Sequence, residues 1–206
     1  MRPAPDLVHL GSPYGGWVIP GGMIEPSWIC YSVGAGGDIG FDLDLIERYG
    51  ITVRAFDAVA GYVEDAIAQA AGEPCFTAHH AAIATSDGPV RMQLTHDPHS
   101  RSVSSAGLYE SARFVELPGR TLSSLMAELG DDHIDLLKLD IEGGEYELMP
   151  TLSLRDLGTK VFAVQLHHTG SVRDAHGLIA RLHEEGYEPV ACRPAVKIAF
   201  ADRDLL

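Results

Sequence analysis

Apolar positions along the chain fall into short runs, and the spacing within them switches repeatedly between strand-like and helix-like. Residues 28–33 (WICYSV) form an apolar, β-prone run that fits a buried strand. After a glycine turn, Phe41, Leu45, Ile46 and Tyr49 recur at helical spacing, on a segment that Asp38 can cap. Residues 51–56 read as a second strand with Asp57 at its end. A helix over 59–71 would bury Val59, Val63, Ile67 and Ala70, and it stops at Gly72 and Pro74. Residues 75–84 read as a third strand. The stretch 85–120 is less regular, with β-prone pieces at 91–95 and 113–117.

Beyond it, Thr121 caps a helix carrying Leu122, Leu125, Met126 and Leu129, closed by Gly130. Residues 134–139 (IDLLKL) are a fourth strand ending at Asp140, and 143–152 a helix. Residues 160–166 are a fifth strand running into His167 and His168. Ser171 caps a helix with Ala175, Leu178, Ile179 and Leu182 inward, closed by Gly186. Residues 187–192 and 196–201 read as a closing hairpin. This alternation predicts an α/β fold: a mainly parallel sheet, helices on both faces, and a C-terminal antiparallel hairpin. Residues 1–27, rich in Gly and Pro, read as an irregular N-terminal segment ahead of one domain over 28–206.

Composition narrows the function. A length of 206 residues supports one domain with a full core. The formal net charge is −14 and the 15 Lys and Arg are scattered, so there is no basic stripe for nucleic acid or for an anionic membrane surface. No run reaches the ~18 apolar residues of a membrane span. Residues 1–12 lack the apolar stretch of a signal peptide, and the expected location is cytoplasmic. Cys30, Cys75 and Cys192 are far apart and offer no CxxC pair, which points to buried free thiols.

The chemistry gathers at the strand ends, where open α/β sheets bind ligands. Gly34, Gly36 and Gly37 let a ligand approach the backbone after the first strand, and Asp57 stands where ribose hydroxyls would sit. The third strand delivers 82–86, starting with Ala82; the fourth delivers Asp140 and Glu142; the fifth delivers His167 and His168. Glu145, in the first turn of a helix, reads as a charge favourable to that helix end. If the strand continues through the His pair, only one imidazole faces the crevice. His167 is the first choice as base and His168 the second. A Mg²⁺ or Mn²⁺ ion held by Asp140, Glu142 and His167 is the alternative way to activate an acceptor. The pairs His79–His80 and His96–His99 lack a third ligand nearby. Tyr14 and Trp17, between glycines, suit a mobile cover or equally a packed arm, and Ser102, Ser104 and Ser105 suit either acceptor contact or a solvated loop.

These segments resemble the FkbM family of S-adenosylmethionine-dependent methyltransferases. The matching stretches are YSVGAGGDIGFDLDLIERYG with AFD, then TLSSL, IDLLKLDIEGGEYELM, the strand with HH, and EEGY, together spanning residues 10–190. The resemblance implies a Rossmann-like class I methyltransferase sandwich. It also implies methylation of a hydroxyl on a small molecule such as a sugar, glycolipid or polyketide, with S-adenosylhomocysteine as product. By position, Gly34, Ala35, Gly36 and Asp57 would hold the cofactor, joined by Ala82 and Asp140, with Asp140 and His167 at the reaction centre. Ala58–Val59–Ala60 and Gln165 depart from the common pattern of such relatives. Partners are then a small-molecule acceptor and, compatibly, a second copy of the chain.

Two readings of other classes stand beside this one. An NAD-dependent oxidoreductase would want G-x-G-x-x-G, which needs glycine at position 39, where Ile39 stands. Its Tyr-x-x-x-Lys pair is also missing after every tyrosine. A nucleoside-binding domain without catalysis would bind cofactor and turn over no acceptor.

Overall fold

The computed structural model describes residues 6–97, 100–109, 111–193 and 197–206. The first five residues, His99 and Val196, all part of the sequence-based expectations, lie outside them. The elements appear in the order β1 (Leu7–Leu10), β2 (Trp17–Pro20), β3 (Ile29–Val33), α1 (Gly40–Tyr49), β4 (Thr52–Asp57), α2 (Ala60–Ala70) and β5 (Phe76–His80). Four further strands follow: β6 (Ala82–Ile83), β7 (Gly88–Leu94), β8 (Val103–Ser104) and β9 (Phe114–Arg120). The chain continues with α3 (Leu122–Leu129), β10 (Leu136–Leu139), α4 (Glu145–Leu148), β11 (Val161–Gln165), α5 (Val172–Glu184), β12 (Tyr187–Arg193) and β13 (Lys197–Asp202).

The central sheet has seven strands in the order β12-β13-β11-β10-β3-β4-β5. β3 pairs in parallel with both β10 and β4, so the strand carrying the glycine turn lies mid-sheet. The order reverses across β3 and β10, which makes a switch-point crevice at their carboxyl ends. β13 inserts antiparallel between β11 and β12, as the closing hairpin requires. The sheet is therefore the mainly parallel α/β sheet expected.

Two apolar layers sandwich it. One gathers Leu137, Leu139, Phe162 and Val164 with Leu122, Leu125, Leu178 and Leu182 of α3 and α5. The other gathers Leu136, Val161 and Ala163 with Phe41 and Leu45 of α1 and with Trp17 and Ile19 of the first hairpin. α3 and α5 begin where their caps predict. Thr121 Oγ1 accepts from Ser124 N–H, and Ser171 with Asp174 closes a full capping box. Asp38, the expected cap of α1, does not hold that place: Ile39 takes the N-cap position without a side-chain cap, and Asp38 Oδ1 accepts from Gly40 N–H at 2.9 Å just ahead of the helix.

Several expectations need correction. Residues 7–20, read as part of an irregular segment, form the β1–β2 hairpin, and Trp17 and Ile19 anchor it in the core at 2% and 0% exposure. β5 stops at His80, not at 84, because Ala82 and Ile83 leave to pair with β9 in a separate four-stranded sheet. α2 buries Val63 and Ala66, while Ile67 is 55% exposed. The helix expected over 143–152 becomes α4 followed by a 3₁₀ turn at Met149–Thr151 containing Pro150. All three cysteines are free, but only Cys30 is buried and Cys192 is exposed. Among the described residues, no helix is long and apolar enough to cross a membrane.

Candidate active site

A cleft of about 500 Å³ opens at the carboxyl ends of β3, β4 and β10. Its first wall is the turn after β3. Gly34 has φ +79°, and a Cβ there would lie 1.8 Å from the Asp140 carbonyl oxygen, so only glycine lets the turn pass beneath the end of β10. Gly36 has φ +61°, and a Cβ there would meet nothing within 4 Å, so its backbone faces open space. The turn is fixed by Asp57: Oδ2 accepts from Gly36 N–H at 2.9 Å and Oδ1 from Val59 N–H at 2.8 Å. Burial raises the Asp57 pKa, opposed by those two hydrogen bonds and by the charge of Lys138. Gly34, Ala35, Gly36, Asp57, Ala82 and Asp140 all line the cleft, so the structure brings together every residue the sequence nominates for a nucleoside ligand.

The opposite wall is the loop after β10. Glu142 takes φ +54°, a conformation costing a non-glycine residue roughly 1–3 kcal/mol. Ser104 Oγ holds that loop by donating to the Glu142 carbonyl at 2.6 Å. Ser104 is therefore a buried brace. Ser102 lines the cleft and Ser105 is exposed.

Behind this wall sits His167. Its Nδ1 lies 2.9 Å from Glu145 Oε1, and that oxygen also accepts Ile141 N–H at 2.9 Å. A carboxylate bound to Nδ1 selects the tautomer that leaves Nε2 free to take a proton. Nε2 faces Glu142 Oε2 at 3.5 Å and Asp140 Oδ1 at 3.7 Å, with the Gln165 amide 3.2 Å away. Burial disfavours the His167 imidazolium, but the Glu145 hydrogen bond and the charges of Glu145, Asp140 and Glu142 outweigh it and raise the pKa above 6.5. β11 ends at Gln165, and neither histidine is among the residues lining the cleft: His167 sits half-buried behind Asp140 and Glu142, while His168, the second choice as base, is exposed.

Two corrections concern this cluster. Glu145, read as a helix-end charge, is fully buried and is the direct partner of His167. Among the described residues, Asp140, Glu145 and His167 bring metal-competent donor atoms within 4.8 Å of one another, and Glu142 Oε2 lies 3.5 Å from His167 Nε2. His79 and His80 turn to Thr77 and to the Ala58 carbonyl instead of to each other. At the cleft mouth, the hairpin turn contributes Pro13, Gly15 and Tyr14, and Tyr14 is 94% exposed. Trp17 is no part of a cover, since it is buried below. Lys138 and Lys197, unremarked in the sequence, also line the cleft.

A family model described as the methyltransferase FkbM domain matches residues 44–189, well over half of the chain. A search of curated proteins finds no match. Among solved structures, the human methyltransferase 10 domain containing protein aligns with a TM-score of 0.47 at 12% identity, covering 85% of this chain and 71% of that one. TrmK of M. capricolum in complex with S-adenosyl-homocysteine aligns at 0.46 and 9% identity, covering 87% and 64%. WbdD, a bifunctional kinase-methyltransferase, aligns at 0.47 and 15% identity over 86% of this chain, which spans only 35% of that protein.

Proposed function

The chain belongs to the FkbM methyltransferase family, and from that premise we propose that it methylates a hydroxyl group of a small-molecule acceptor, with His167 as the base. When bound, S-adenosylmethionine supplies an electrophilic methyl group on a sulfonium and leaves as S-adenosylhomocysteine. The residues present fit that ligand. The Gly34–Gly36 turn leaves main chain open to the cleft, and Asp57 keeps an oxygen lone pair on each side for a ribose hydroxyl.

The observation that carries the choice of acceptor chemistry is the Glu145–His167 pair behind Asp140 and Glu142. In transfer to a hydroxyl, His167 Nε2 would accept the proton that the acceptor oxygen loses. The imidazolium so formed is held by the Glu145 carboxylate at 2.9 Å and by two further carboxylates. A positioned base of this kind contributes about 10²–10⁴-fold to rate. Nothing in a net charge of −14 recommends a nucleic-acid acceptor.

The test is His167→Gln, assayed by calorimetry with S-adenosylhomocysteine and by methyl transfer to a panel of hydroxylated small molecules. Binding should persist while turnover falls about 10²–10⁴-fold; full turnover would remove His167 as base. The compact donor set of Asp140, Glu145 and His167 favours a second reading, in which Mg²⁺ or Mn²⁺ acidifies the acceptor. Activity that survives EDTA supports the base; activity lost to EDTA and restored by either ion supports the cation.

A further inference from the structure

Two ammonium groups line the cleft without a carboxylate of their own. Lys138 lies in the fully buried strand β10, with 6% of the residue exposed, and its Nζ donates to the Gly34 carbonyl at 2.5 Å. Lys197 opens β13 directly opposite Gln165, and its Nζ lies 3.4 Å from the Gly15 carbonyl. Both stand over the Trp17 indole, at 6.0 Å for Lys138 and 4.6 Å for Lys197. Among the described residues, neither has a carboxylate oxygen within 4.0 Å. Asp42, Asp38 and Asp140 act on them only from further away.

A lysine ammonium has three hydrogen-bond donors, and here each lysine finds a single main-chain carbonyl. Burying a cation this way is costly unless an anion completes its shell. The remaining donors of Lys138, beneath Gly34, and of Lys197, beside Gly15, open into the same cleft. The site therefore asks for a small anion at one defined end.

The topology says which end. Asp57 terminates β4 and Ala82 lies just past β5, so a nucleoside placed against them sits over the β4–β5 side of the sheet. From there an extended ligand runs across the Gly34 turn of β3 towards β10, β11 and β13, where the lysines stand. S-adenosylmethionine carries an α-carboxylate at the end opposite its adenine. We propose that Lys138 and Lys197 form a carboxylate clamp for the amino-acid tail of the cofactor, with the Trp17 indole as its floor. This inference rests on reading the cleft as an S-adenosylmethionine site.

The experiment is calorimetry on the full chain with two ligands that differ only at that end. S-adenosylhomocysteine carries the amino-acid tail; 5′-methylthioadenosine keeps the nucleoside and sulfur without it. Lys197→Met should weaken S-adenosylhomocysteine about ten- to hundredfold, the loss of one charge-assisted hydrogen bond, and leave methylthioadenosine within about twofold. Lys138→Met should do the same, and if its burial prevents folding, Lys197→Met carries the test alone. Unchanged S-adenosylhomocysteine affinity would overturn the clamp and leave the lysines to an anionic group of the acceptor. Equal losses for both ligands would also overturn it, by showing a structural role. Wild-type protein that binds neither ligand would sink the reading of the cleft itself, and the clamp with it.

Discussion

At the scale of single residues, Glu145 shows how a sound local argument can miss the chemistry. It does stand in the first turn of α4, where a negative charge suits the helix end. Its carboxylate nevertheless turns inward to a histidine 22 residues away, and that pairing exists only once β10 and β11 lie side by side. Asp140, Asp57 and the glycines were legible because each sits at the end of an apolar run; the partner of His167 has no such marker. The charge of Glu145 sets the direction of a pH effect. By favouring the imidazolium it raises the His167 pKa, so Nε2, the proposed base, becomes free only above the ordinary value of 6.5. Glu145→Gln should move the acid limb of the kcat–pH profile to lower pH and lower its plateau, since a weaker base accepts the proton less readily. A profile that keeps its midpoint would separate Glu145 from the base.

Among the elements, those that carry their own punctuation were legible and those assembled by pairing were not. Thr121 and Ser171 each place a side-chain oxygen on a free N–H, and Gly130 in the left-handed region ends α3 as its sequence demands. Replacing Ser171 by Ala should cost about 1 kcal/mol in urea unfolding, with Thr121→Ala similar, because each leaves one N–H of the first turn unmatched. The second sheet was invisible for the opposite reason. Its longest pair sets Pro89 opposite Pro118, and proline cannot donate to a ladder, so local rules argue against strands there. Ile67 misled in another way. Val63 and Ala66 face inward at a spacing of three, which turns Ile67 out although it fits an apolar stripe equally well.

For the molecule as a whole, the first hairpin is structural. Trp17 is buried, packs against Phe41 of α1 at 6.4 Å between ring centroids, and lies under both cleft lysines. Trp17→Ala should cost about 3–5 kcal/mol, seen as a lowered midpoint of thermal or urea unfolding. A loss below 1 kcal/mol would show that the hairpin packs independently of the core. The contact between Lys197 Nζ and the Gly15 carbonyl joins positions 182 residues apart. Long-separation contacts are slow to form, because a large loop must close before they reward the chain. During synthesis, the glycine turn and Asp57 leave the ribosome long before β13 exists. A chain halted short of Lys197 could pair its inner strands and still lack one side of the cleft. Ligand binding would then mark the moment at which early and late parts of the polypeptide have met, and cofactor present during translation would reward only finished molecules.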